Sequence, residues 1–202
     1  MNPHVHHTAT MPRRITLLRH GATIQPGHDH GHADVPLSDH GMRRMHQIMA
    51  GERFEQVISA PLRRCASFAE DFAALQDVPC ALDADRMEVG FGAWEGPTAA
   101  EIMAKSPKAL KAFGRDSTGH PPLGGKPLES AAEHVWHAWE RLPRVPHVRV
   151  VTHGGAMRLL FCRLMGLPLT ALWRLELNHA ARLEFIVDEA GVRLHDFHAG
   201  GA

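Results

Sequence analysis

Apolar and polar positions along this chain keep two different rhythms. Short apolar runs stand at Ile15 to Arg19 (ITLLR), Gln56 to Ser59 (QVIS), Pro79 to Leu82 and Val148 to Thr152 (VRVVT), and each reads as a strand, those at Gln56 and Val148 as buried ones. Two more strands, Arg182 to Val187 and Val192 to Phe197, flank a turn at Glu189 to Gly191. Helical spacing fills the intervals. One helix is expected from Asp39 to Ala50 and closed by Gly51, a second with Pro61 near its first position, and a third from Ala156 to Met165. Thr98 leads TAAE and Ser130 leads SAAE, both matching the capping box, so two further helices are expected to start there. Val135, Trp136, Trp139 and Leu142 fall on one helical face and read as core packing. The glycine-rich MEVGFGAWEG reads as an ordered loop, and GRDSTGHPPLGGKP as a long excursion of functional or mobile character.

Strands alternating with helices imply parallel crossovers with helices on both faces: an α/β fold in three layers, α/β/α, around a mostly parallel sheet. The same topology puts the site outside the carboxyl ends of the strands. Three strands end, or nearly end, in chemistry there: Arg19 and His20 after the first, Arg64 after the second, and His153 with Gly154 after the fourth. Two imidazoles and two guanidiniums beside exposed glycine N–H groups suit a phosphoryl dianion, because the planar fork of arginine matches a tetrahedral oxyanion. Neighbouring guanidiniums also push an imidazole toward its neutral, nucleophilic form.

Composition narrows the rest. A chain of 202 residues, 44% hydrophobic, supports one domain over residues 13–202 behind a polar, His-rich arm at 1–12. His4, His6 and His7 in that arm read as solvated, because no acidic or cysteine ligand accompanies them. Basic and acidic residues number 22 each, so no global field points to nucleic acid or a membrane surface. Cys65, Cys80 and Cys162 are odd in number and widely spaced, which reads as reduced thiols used for packing in a cytoplasmic protein. Neither a signal peptide nor a membrane span is expected. Oligomeric state is open.

LLRHGAT, SAPLRRCASFA, MEVGFGAWEG and VVTHGGA, in this order, resemble the four signature segments of the histidine phosphatase superfamily, the phosphoglycerate mutase-like enzymes. The resemblance spans about Ile15 to Phe197. It implies that His20 attacks phosphorus and is phosphorylated, that Arg19, Arg64 and His153 hold the phosphoryl oxygens, and that Thr23 and Gly154 assist. It also implies that Glu88 gives a proton to the leaving alkoxide and then activates water, with no cofactor and no metal. Arg63 is the fallback for Arg64. The cluster HDHGH, residues 28–32, is read as a polar active-site loop in preference to a metal site. Asn178 and His179 either reach the pocket from the far side or cap a loop. The pattern departs from the family at Ala22, where an acidic residue is usual, and at Pro26, where Asn is usual, which puts substrate contacts from this loop in doubt. The short segment between Glu88 and Ser130 and the brief tail after Phe197 leave little chain to shield a phosphoenzyme from water. That favours a phosphatase acting on a small phosphorylated metabolite, and the WEG loop with PPLGGKPLES resembles the alpha-ribazole phosphatases of the family. Two alternatives are a mutase that needs a bisphosphoglycerate primer and a noncatalytic phospho-ligand-binding module.

Overall fold

The computed structural model describes residues 11–28 and 30–201. The expected arm falls mostly outside them, and with it His4, His6 and His7. Six strands form one sheet in the order β3-β2-β4-β1-β5-β6. They are β1 (Arg13–Arg19), β2 (Gln56–Ser59), β3 (Cys80–Leu82), β4 (His147–Thr152), β5 (Arg182–Asp188) and β6 (Gly191–His198). β1 pairs parallel with β4, and β2 with both β4 and β3; β5 runs antiparallel to β1 and closes a hairpin with β6. The fold is three-layer α/β/α with a mostly parallel sheet, as its residue pattern implies.

Alternation along the strands divides the core between the two faces. Leu17, Ile58, Val150 and Phe185 face α5 (Leu128–Glu140) and α6 (Gly154–Leu164), where Val135, Trp139, Met157 and Leu160 meet them. Leu18, Val57 and Val151 face α1 (Asp39–Ile48) and α2 (Arg63–Gln76), against Met45, Met49, Phe68 and Phe72. Residues one apart on a strand point to opposite sides, so each strand serves both layers.

Several expected boundaries move. The capping box at Thr98 is present: its hydroxyl accepts from Glu101 N, Glu101 reaches back to Thr98 N, and α3 (Ala99–Lys105) follows. The one expected at Ser130 is not. Pro127 stands at the N-cap of α5 and Ser130 lies inside the helix, because a proline with extended φ and ψ starts the helix earlier. Pro61 likewise precedes the helix, and Leu62 is the N-cap of α2. A helix unforeseen in the sequence, α4 (Pro107–Arg115), starts on a proline at its first position. Its Phe113 meets Trp94 at 5.2 Å and Trp173 at 5.6 Å between ring centroids. Cys65 and Cys162 are buried, but Cys80 is exposed on the edge strand β3 and has no packing role.

Candidate active site

The carboxyl ends of β1, β2 and β4 lie side by side, because β4 is the neighbour of both others. His20 directly follows β1, and its N–H bonds to Thr152 O at the end of β4 (3.0 Å). His153 directly follows β4. The two imidazoles therefore meet edge to face with centroids 5.2 Å apart. Both are buried, at 4% and 0% exposure.

Hydrogen bonds fix the tautomer of each ring. His20 Nδ1 lies 2.8 Å from Gly21 O, which can only accept, so the proton sits on Nδ1 and Nε2 presents a lone pair. His153 Nδ1 accepts from Arg64 Nε at 3.3 Å, so its proton sits on Nε2, as a donor. Burial first, then His153, Arg19 and Arg64, holds the His20 pKa well below the usual imidazole value. Burial, Arg64 and Arg19 do the same to His153. The site thus contains a neutral imidazole that presents a lone pair, a neutral imidazole that presents a proton, and two guanidiniums.

The choice between Arg63 and Arg64 is visible in the geometry. Arg64 is 1% exposed and sits against His153, its Nη1 and Nη2 donating to Ala33 O and Gly31 O, both at 2.6 Å. Arg63 lies outside and pairs with exposed Asp34, Nε to Oδ2 3.5 Å. Arg19 anchors its guanidinium on Leu177 O beside Gly154, where an added Cβ would lie 3.2 Å from Arg19 Nε.

Glu88 comes from the loop after β3 and lands on the first turn of α6. Its Oε1 accepts from Val89 N (2.9 Å) and Ala156 N (3.3 Å), and its Oε2 from Gly155 N (3.3 Å). This brings it beside the second and third residues after His153. α6 begins at Gly154, two residues earlier than the pattern suggests, so both glycines are helical. A Cβ on Gly155 would stand 2.3 Å from Glu88 Oε1, which explains why that position carries none.

Residues 30–33 lie over this edge, where the carbonyls of Gly31 and Ala33 accept from Arg64. His30 Nε2 shares a hydrogen bond with Thr23 Oγ1 (2.8 Å), and burial followed by Arg64 lowers its pKa. His32 Nε2 donates to Glu88 O at 2.9 Å. Thr23 is buried, but its hydroxyl is engaged with His30 and Gln25 O. His179 also reaches the centre: its ring lies 5.5 Å from that of His20, and burial, then Arg19, lowers its pKa to about 4. Asn178 instead bonds to Glu176 at 3.0 Å. Arg158 was not singled out in the sequence, yet its Nη1 stands 3.1 Å from a Cβ built on Gly154. The signal is the four-residue spacing on α6, which stacks 158 on the face of 154.

Among the described residues the grouping with metal-ligand spacing is Glu52, His147 and Glu184, at the amino end of β4 and away from these side chains. Arginines already occupy its carboxylates: Arg182 Nη1 meets Glu52 at 2.7 Å and Arg14 Nε meets Glu184 at 3.4 Å.

The chain is similar to several known proteins. An adenosylcobalamin/alpha-ribazole phosphatase of Escherichia coli K12 is 27% identical over 173 residues, 82% of this chain and 85% of the relative. A glucosyl-3-phosphoglycerate phosphatase of Mycolicibacterium vanbaalenii is 29% identical over 171 residues, 77% of this chain and 76% of the relative. The crystal structure described as a putative alpha-ribazole-5'-P phosphatase from Escherichia coli superposes with a TM-score of 0.80 at 24% identity, covering 94% of this chain and 98% of that one. The family model described as histidine phosphatase superfamily (branch 1) matches residues 15–199. The chain therefore belongs to the histidine phosphatase superfamily and is a phosphoric monoester hydrolase.

Proposed function

We propose that the protein hydrolyses a small phosphorylated metabolite through a phosphohistidine on His20. His20 Nε2 attacks phosphorus in line, the N–P bond forms as the P–O ester bond breaks, and the Glu88 carboxyl gives its proton to the departing alkoxide. Water then attacks the phosphohistidine and gives a proton to Glu88, and the N–P bond breaks to release inorganic phosphate. Arg19, Arg64 and the Nε2–H of His153 hold the phosphoryl oxygens as charge builds, aided by the backbone N–H of Gly154 at the start of α6. The observation that carries this reading is the pair of complementary tautomers 5.2 Å apart, one offering a lone pair and the other a proton. Two steps through a covalent intermediate divide a barrier that is among the highest in biology.

The finer assignment is alpha-ribazole 5'-phosphate as substrate, in a cytoplasmic setting. It is supported by the resemblance of the WEG and PPLGGKPLES segments and by the names of relatives. No helix among the described residues is long and apolar enough to cross a membrane.

Rapid alkaline quenching during turnover of a radiolabelled ester, followed by mass spectrometry, is expected to find phosphate on His20. A bare His20 throughout productive cycles overturns the mechanism. Kinetics on a panel containing alpha-ribazole 5'-phosphate and 3-phosphoglycerate tests the substrate. Release of free phosphate in excess chelator is expected, whereas primer-dependent isomerisation of 3-phosphoglycerate would indicate a mutase.

A further inference from the structure

A second cavity, of about 330 Å³, lies next to His20 on the β5 side. Its polar side chains are Arg19, His40, Arg44, Asn178 and His179, and no aspartate or glutamate lines it. In a chain whose acidic and basic residues balance at 22 each, a ten-residue lining with two arginines, two histidines and no carboxylate is a local excess of hydrogen-bond donors. Arg44 stands out within it. Its Nε is buried and meets no acceptor, and the guanidinium forms no ion pair among the described residues. Every other arginine named at the site has a partner: Arg19 reaches Leu177 O, Arg64 the carbonyls of Gly31 and Ala33, and Arg158 Leu175 O.

The walls are fixed by backbone contacts. Gly21 and Gly41 approach so closely that a Cβ on Gly21 would lie 2.4 Å from Gly41 O, which seats the start of α1 on the loop after β1. Ser38 N donates to Ala22 O at 2.9 Å in the same seam. Across the cavity, Ala180 N donates to His20 O at 3.1 Å, and Gly201 N to His179 O at 3.1 Å. Ala180 holds a left-handed φ of 58°, and a Cβ on Gly200 would meet His179 O at 2.4 Å. The backbone that frames the cavity is thus held in place before any ligand arrives, so binding needs to order only the side chains of Arg44 and His40.

We infer that this cavity is a second oxyanion-binding site, in which Arg44 with His40 and His179 takes a carboxylate or phosphate beside the phosphoryl group bound over His20. The inference rests on the phosphomonoesterase reading only for its neighbour, since Arg44 takes no part in the phosphoryl transfer described above. The oxyanion has two sources, a second anionic group on the substrate or a free ion such as released phosphate.

Two measurements separate them. Hydrolysis of p-nitrophenyl phosphate, which has no second anion, is compared with O-phosphoserine and 3-phosphoglycerate, which carry a carboxylate, in the wild type, Arg44→Gln and Arg44→Lys. Calorimetric titration with inorganic phosphate then counts sites in the same three proteins. If the substrate supplies the anion, Arg44→Gln loses about tenfold or more in kcat/KM on the carboxylate esters, the size expected for one charged hydrogen bond. It keeps wild-type turnover of p-nitrophenyl phosphate, and Arg44→Lys restores the loss. If a free ion is the ligand, the wild type binds two phosphates, Arg44→Gln binds one and Arg44→Lys binds two. Identical behaviour of wild type and Arg44→Gln in both measurements overturns the site and leaves the phosphatase reading intact. Failure of the wild type to hydrolyse any ester overturns the phosphatase reading, and the phosphate count still decides the second site.

Discussion

At Gly155 one missing carbon links fold to chemistry. Its N–H helps hold Glu88, and a Cβ there would collide with Oε1 of that carboxylate at 2.3 Å. The obstructing atom ends a side chain, so Gly155→Ala is expected to fold with unchanged or slightly raised stability, since alanine favours a helix over glycine by up to about 1 kcal/mol. Turnover should nevertheless fall by about tenfold or more, because displacing an acid by an ångström loses on the order of 10²-fold. Equal kcat in variant and wild type would remove Glu88 from the mechanism. A second test uses the adjacent arginines. Arg64→Ala should lower kcat by about 10³-fold or more, in the range of arginines that face transition-state charge. Arg63→Ala should stay near wild type, because its exposed pairing with Asp34 is worth about 0–1 kcal/mol and lies outside the pocket. Loss of comparable size in both variants, with circular dichroism unchanged, would contradict the assignment. The motif pattern favours Arg64 with Arg63 as its fallback, and of the two it is Arg64 that is buried against His153.

Helix starts show how far local pattern carries an element. TAAE and SAAE satisfy the same rule, yet only Thr98 caps a helix; at Ser130 the preceding proline and Leu128, buried at 3% exposure, pull the start of α5 upstream. Thr98→Ala is therefore expected to cost about 1 kcal/mol of stability in urea denaturation, the usual worth of a lost cap. Ser130→Ala should change stability by less than about 0.5 kcal/mol, as exposed helical substitutions do. A larger loss at Ser130 than at Thr98 would mean that the sequence rule, and not the structure, has the helix start right. Strands were legible to within two residues because β-branched runs ending at glycine or proline leave few alternatives. α4 was missed because its interior Gly114 argues against a helix in isolation, although Pro107 is favourable at a first helical position. What stabilises it is the aromatic contact of Phe113 with Trp94 and Trp173, from segments far apart in sequence.

Across the whole molecule, charge is buried where the strands looked apolar. Arg149, in the middle of VRVVT, is fully buried, its guanidinium 4.1 Å from the Phe54 ring centroid and 3.9 Å from Glu52. Its neighbours come from the segment between α1 and β2 and from β5, and no single-strand pattern reveals them. The histidines have the clearest solution consequence. His20 and His153 are buried with pKa values held well below the usual imidazole value, chiefly by burial, and His147 is lowered to about 4 by burial and then Arg149. Each is neutral in the folded chain and protonates near pH 6.5 once unfolded, so below that pH the unfolded state binds more protons and gains free energy. Stability should be complete above about pH 7 and fall as pH drops through 6.5 toward 4, by up to about 1.4 kcal/mol per histidine between pH 7.5 and 5.5. Three such groups total about 4 kcal/mol, a large share of the 5–15 kcal/mol that holds a typical domain together. Urea midpoints measured at pH 7.5, 6.5 and 5.5 should fall in that order with an unchanged m-value. A midpoint independent of pH over this interval would mean that these imidazoles titrate in the folded chain as they do in the unfolded one, so that His20 would be mostly protonated at pH 5.5 and without a lone pair to attack phosphorus.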